Sequence, residues 1–261
     1  MGEKKRRTAE QLLRRAIRMA RQIETSASAR PLRKPLERVA YGFLVRSRRY
    51  AEAVLRLGRA SAYEARPVVR SMAEIWGNYH WIRLRRSHSR ANRFLRFQPL
   101  EQLRILESLP AEYTTPTHAA SVRLLKRRRT RVRHLFRRRS KRARRMIWAR
   151  DWAQVGSFED RFDEVGAEQL RRFGRRDHIY FHYRWLSSAV HAGPLSVAEC
   201  LEVSSDRLAA RKQPERQPTA GMAVATVTLA DTCILAAADL DVPFRSEVAA
   251  LKAELQSRGA G

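Results

Sequence analysis

The sequence predicts an all-α protein, an irregular helical bundle that carries a basic N-terminal helix and a long Arg-rich helix. Three observations lead there: apolar residues recur at helical spacing in segment after segment, no long stretch alternates with period two, and the dipeptides that close hairpins are lacking. At 261 residues the chain is long enough to bury a sizeable core.

The N-terminal residues 1–24 (MGEKKRRTAEQLLRRAIRMARQIE) are basic and amphipathic and lack the uninterrupted apolar stretch of a secretory signal. Pro31 and Pro35 break the pattern after them, so residues 1–30 are read as a separate basic helix and residues 31–261 as a single helical domain. From 36 to 60, Leu36, Val39, Ala40, Phe43, Leu44, Ala51, Val54 and Leu55 form a helical stripe. A second long helix is expected from Ala62 to about Arg86, with Pro67 tolerable only in its first turn.

Residues 90–109 read as two short helices bent at Pro99. Thr117 is then the expected N-cap of the long helix containing the Arg tract, whose thin apolar seam runs through Leu125, Val132, Phe136 and Ala143. Short helices are expected at about 159–173, at 176–191 and from Val197, followed by a polar linker at 211–218. A terminal helix from Pro243 to about Ser257 closes the chain. The most apolar run, Gly221 to Ala238, is interrupted by Asp231, and Thr228, Asp231, Thr232 and Leu235 share one helical stripe. It reads as a core helix with a polar seam rather than a membrane span.

Charge is the strongest functional signal. The formal net charge is +28, and residues 1–150 hold 41 Lys/Arg against 10 Asp/Glu, whereas residues 151–261 hold 13 against 16. Between Arg123 and Arg145 there are fourteen cations and no acid: besides Arg123 itself these are Lys126, Arg127, Arg128, Arg129, Arg131, Arg133, Arg137, Arg138, Arg139, Lys141, Arg142, Arg144 and Arg145. Such a tract draws polyanions, because Lys and Arg release condensed counterions on pairing with phosphates. A solvated charged face with no partner is the alternative.

Other chemistry is sparse. No glycine-loop nucleotide motif occurs, so no cofactor is implied. Cys200 and Cys233 are too few and too far apart for a disulfide scaffold or a four-ligand zinc site, and suit buried thiols in a reducing cytoplasm. His178 and His182 lie at i, i+4 without further ligands nearby, so no metal site is assigned. Arg70 and Glu74 are also i, i+4, either a surface ion pair or a pair facing a polar cavity.

The segment from Tyr180 to Pro194 (YFHYRWLSSAVHAGP) places Arg184, Ser187, Ser188 and His191 on one helical face. Arg184 and His191, six residues apart in between, fit the Arg-x(4–6)-His spacing of helical ribonucleases in the higher eukaryotes and prokaryotes nucleotide-binding superfamily, which this segment weakly resembles. By that resemblance His191 would transfer a proton and Arg184 would stabilise charge developing on phosphate. The alternative is a structural cap, His191 bonding carbonyls in the last helical turn.

RSMAEIWGNYHWI, RANRFLRF, ARDWAQVGSFEDRFDEVG and YFHYRWLSSAVHAGP occur in the order seen in the uncharacterised bacterial domain-of-unknown-function family 5677. The chain resembles that family over about Leu36 to Glu202, most specifically at Arg70 with Glu74, at Trp152 with the following Gly-Ser, and at Tyr183 with Ser187, Ser188 and His191. The resemblance implies a helical domain in which the Arg-Glu helix meets the Ser-x-x-x-His helix. It brings no activity or cofactor.

The sequence therefore points to a cytoplasmic helical protein that binds nucleic acid through phosphates. The alternatives are a metal-independent ribonuclease using His191 and Arg184, with Arg70, Glu74 and Ser187 in support, and a scaffold or anionic-membrane-surface protein.

Overall fold

A computed structural model describes residues 2–60, 64–110, 115–139, 146–149, 151–153, 157–174, 179, 183, 201–204, 207–210, 218–244, 247, 250–251 and 253–254. Helices dominate: α1 (Gly2–Ser28), α2 (Pro35–Ala60), α3 (Arg66–Leu84), α4 (Ser87–Arg96), α5 (Gln98–Glu107), α6 (Pro116–Arg131), the one-turn α7 (Arg133–Phe136), α8 (Phe158–Phe173) and α9 (Pro218–Asp239). Two short antiparallel ladders are added, β1 (Arg137–Arg139) with β2 (Met146–Trp148) and β3 (Leu201–Ser204) with β4 (Arg207–Ala210). The fold is an all-α bundle with these two hairpins as local departures. The chain divides into two compact units, residues 1–81 with 162–261, and residues 82–161.

In the first unit α1, α2 and α9 pack on one another. α1 contributes Leu13, Ala16, Ile17, Ala20, Ile23 and Ala27, all buried and all on one stripe, so this basic helix is part of the core and not an appendage. α2 contributes the expected Leu36, Val39, Ala40, Phe43, Leu44, Ala51 and Val54. Its start is set by Glu37, whose Oε2 reaches back to accept from the backbone N–H groups of Arg33 and Lys34, both at 3.0 Å, in the two residues that precede the helix. Across the α1–α2 seam Arg48 donates to Glu24 and to Glu52, each at 2.7 Å, and Arg21 adds a 2.8 Å pair to Glu52.

α9 is buried nearly all round, including Thr226, Thr228, Asp231 and Thr232. By length and composition residues Gly221–Asp239 match a membrane span, but 78% of that window is buried in the protein. Thr226 and Thr232 return their hydroxyls to the carbonyls of Met222 and Thr228, which lets the helix carry hydroxyls in an apolar setting.

In the second unit α4 and α5 meet at Phe97, with Pro99 in the first turn of α5 as its missing N–H requires. The N-cap of α6 is Thr115, not Thr117: its hydroxyl accepts from His118 N, and Pro116 takes the first helical position. The Arg tract is not one helix. α6 ends at Arg131, Val132 leaves helical geometry (φ −108°, ψ 11°), and the chain turns into β1, where Arg137 pairs with Trp148. Continuing the helix would stack like charges at i, i+4 with no acid to offset them, whereas the break buries Phe136 against Phe97 and lets Arg129 stack on Trp148, its guanidinium carbon 4.9 Å from the ring centre.

α8 begins as the sequence suggests. Ser157 and Asp160 form a reciprocal capping box, and Gly174, at φ 67°, ends the helix by donating to Leu170 O. The helix expected from Val197 is instead the β3–β4 hairpin where it is described. Of the expected terminal helix, positions 247, 250–251 and 253–254 are helical, and Leu251 is buried.

The Glu37 carboxyl is held below its ordinary value of 4.5, chiefly by the Lys34 backbone N–H. Its contribution is therefore present above that value and disappears as pH falls through the lower folded-state value. Glu37→Ala should cost about 1 kcal/mol of stability at neutral pH and flatten the loss of stability below pH 4.5, measured by denaturant titration at several pH values.

Candidate functional site

Helix α3 carries four side-chain donors within six residues, and the described structure gives each an acidic partner. Trp76 Nε1 donates to Asp231 Oδ2 at 2.7 Å, and His80 Nε2 lies 2.6 Å from the same oxygen. Tyr79 Oη donates to Asp239 at 2.8 Å, and Trp81 Nε1 donates to Glu164 at 2.6 Å. The spacing explains the convergence: Trp76 and His80 are one turn apart and lie on one face.

Asp231 is 4% exposed, so an unpartnered charge there would be costly. Trp76 and His80 both meet its Oδ2, and because a carboxylate oxygen accepts, His80 carries a proton on Nε2 toward it. The imidazole, 21% exposed, is thereby oriented by the bond from its Nε2. It also packs on Trp76, with ring centres 4.3 Å apart.

An aromatic path continues from there. Trp76 contacts Phe162 at 5.4 Å, and Phe162 contacts Tyr183 at 4.8 Å between ring centres. Arg70 closes the path, its guanidinium carbon 5.6 Å from the centre of the Tyr183 ring. The Arg70–Glu74 pair is real but loose, at 3.3 Å, and divided in character: Arg70 is 14% exposed and Glu74 40%. Arg70 thus sits under Tyr183 more than it serves Glu74, and the pair is neither a bare surface bridge nor a sealed one.

Tyr183 is the one residue of the Tyr183-to-His191 motif that is described. Arg184, Ser187, Ser188 and His191 lie outside the described residues, as do Cys200, His178 and His182. Among the described residues no group of three or more His, Cys, Asp or Glu can hold a metal ion. Cys233 is a buried thiol, pushed well up by burial and then by Asp231.

The cationic residues occupy the second unit. Arg123, Lys126, Arg127, Arg128, Arg131, Arg133 and Arg137 are exposed, and Arg129 is half-buried against Trp148. Among the described residues of the tract only Lys126 has an acidic partner, Glu107 at 3.5 Å. Arg138 and Arg139 are placed in β1 by their backbone, while Lys141, Arg142, Arg144 and Arg145 lie outside the described residues.

The pairing of His80 with Asp231 was not anticipated. Its signal was half visible: a carboxylate in an apolar helix requires donors, and α3 offers a Trp and a His one turn apart. Asp231→Ala leaves the buried Trp76 donor without this acceptor and removes the partner of the part-exposed His80, and should cost about 2 kcal/mol, whereas Asp231→Asn, which keeps an acceptor oxygen, should cost less. Denaturant melts of the two variants measure this.

No curated protein and no solved structure matches the chain. The model of a family of unknown function, DUF5677, matches residues 37–207, a span that includes α3, its aromatic path to Tyr183 and the whole Arg tract, and the chain belongs to that family.

Proposed function

We propose that the chain binds nucleic acid through phosphates, without strong sequence preference, on the cationic surface of α6 and the residues that follow it. One observation carries this reading. Arg123, Arg127 and Arg131 recur at i, i+4, i+8, all exposed, on a helix that contains no acid. Successive members of such a line stand about 6 Å apart along the helix, and none has an acidic partner among the described residues. Cations held in a row and left without counter-charges favour a linear polyanion.

Phosphate contacts of this kind position a nucleic acid and do not read its bases. The excess of Arg over Lys is compatible with bidentate phosphate pairing. A lipid-surface role for the N-terminal helix is less well supported, because the apolar stripe of α1 that would enter a membrane is already packed inside the first unit. Cytoplasmic residence is part of the same proposal and rests on the free buried Cys233.

Binding to RNA and DNA should weaken steeply with salt. Changing Arg123, Arg127 and Arg131 together to Gln should lower affinity for every sequence tested and reduce the slope of log K against log salt by about 0.7 to 0.9 per lost phosphate contact. Fluorescence anisotropy with unrelated oligonucleotides measures both. Affinity that is indifferent to salt, or unchanged in the triple variant, overturns the proposal.

A further inference from the structure

The second unit also exposes an apolar surface that phosphate binding does not use. Helices α5 and α6 pack together and leave a groove of about 360 Å³ between them. Ile105 and Leu106 line it from α5, and Ser121, Leu124, Leu125 and Arg128 line it from α6. Leu125 forms the buried floor, but Ile105 is 61% exposed and Leu124 50%. Large aliphatic side chains this open, clustered at one groove, mark a surface that is completed by a partner.

Two features specify the occupant. The lining follows helical repeats on both sides, i, i+3, i+4 on α5 (Gln102, Ile105, Leu106) and i, i+3, i+4, i+7 on α6, so the groove lies between two ridges as a third helix would require. Its α6 side is cationic: Arg128 is in the lining, and Arg127 and Arg131 are exposed on the same acid-free helix. On α5, Glu107 is paired with Lys126 of α6. We infer that the α5–α6 groove docks an amphipathic helix of a partner protein whose apolar stripe covers Ile105 and Leu124 and whose flanking carboxylates meet Arg128 and its neighbours. Such a helix would share cations with a bound nucleic acid, so the two ligands would compete, although the inference rests on the groove and not on nucleic-acid binding.

The test uses the full chain at physiological salt and a fluorescent Leu/Glu peptide of about 18 residues with Leu on one helical face, beside a scrambled peptide of identical composition. The ordered peptide should bind at least about tenfold more tightly than the scrambled one. Ile105→Ser with Leu124→Ser should abolish that preference while leaving the helical circular-dichroism signal and RNA binding in place. Arg128→Gln should weaken both peptides. Equal affinity for the two peptides in the unaltered chain, no binding of either, or a preference that survives the double substitution overturns the inference. The first outcome would mean that the surface reads charge alone.

Discussion

The buried carboxylate of Asp231 is the constraint on which the first unit depends. An apolar helix with one acid at its centre cannot be covered by aliphatic side chains alone; whatever lies over that acid must donate hydrogen bonds. α3 does so with Trp76 and His80. Tyr79 and His80 are neighbours on α3 and reach acids eight residues apart on α9, Asp239 and Asp231, so one turn of α3 is tied to two points of α9. From the same helix Trp76 meets Phe162 of α8, Phe162 meets Tyr183, and the Arg70 guanidinium lies against the Tyr183 ring.

Charges on α1 and α2 and those on α6 are handled in opposite ways. On α1 and α2 several arginines are paired with acids: Arg48 joins Glu24 and Glu52, Arg21 joins Glu52, and Arg15 joins Glu254. The Arg48 guanidinium is held more firmly protonated chiefly by Glu24, and α1 and α2 are tied by the same contacts. The second unit has Arg161 buried in a similar way, paired with Asp151 and stacked beside Trp152 and Phe158. Its α6 arginines are different, because sequence and fold bring almost no acid to them. This contrast within one chain argues that the charge of α6 serves something other than the fold.

Much of this was legible before any coordinates. Apolar spacing located α2, α3 and α9, Pro67 and Pro99 fell in first turns, and the polar seam at Thr228, Asp231 and Thr232 marked a core helix. Local signals failed where tertiary contacts decided. A basic run such as 123–145 is rich in Arg and Leu, which form helices readily, and the burial of Phe136 and the pairing of β1 with β2, together with the unrelieved like charges, explain the break at Val132. Thr117 and Thr115 are equally good caps by type; the position of Pro116 at the first helical residue selects Thr115. The acceptor role of Asp231 was half readable, since its need for donors was plain and their identity required the fold. The family resemblance was read from Arg70, Glu74, Trp152 and Tyr183, and three of these have a stacked role: Arg70 on Tyr183, Tyr183 on Phe162, and Trp152 edge-on to Phe94, while Glu74 is the more exposed partner of Arg70.

The central claim is that the unpaired arginines of α6 are the surface a polyanion meets, while the paired and stacked ones belong to the fold. Arginine-selective modification with a dicarbonyl reagent, read by mass spectrometry with and without a single-stranded RNA, tests it most directly. The account predicts that Arg123, Arg127 and Arg131 react readily in the free protein and are protected by RNA, while Arg48, Arg70 and Arg161 react slowly in both states. Unchanged reactivity of the α6 arginines in the presence of bound RNA would contradict it.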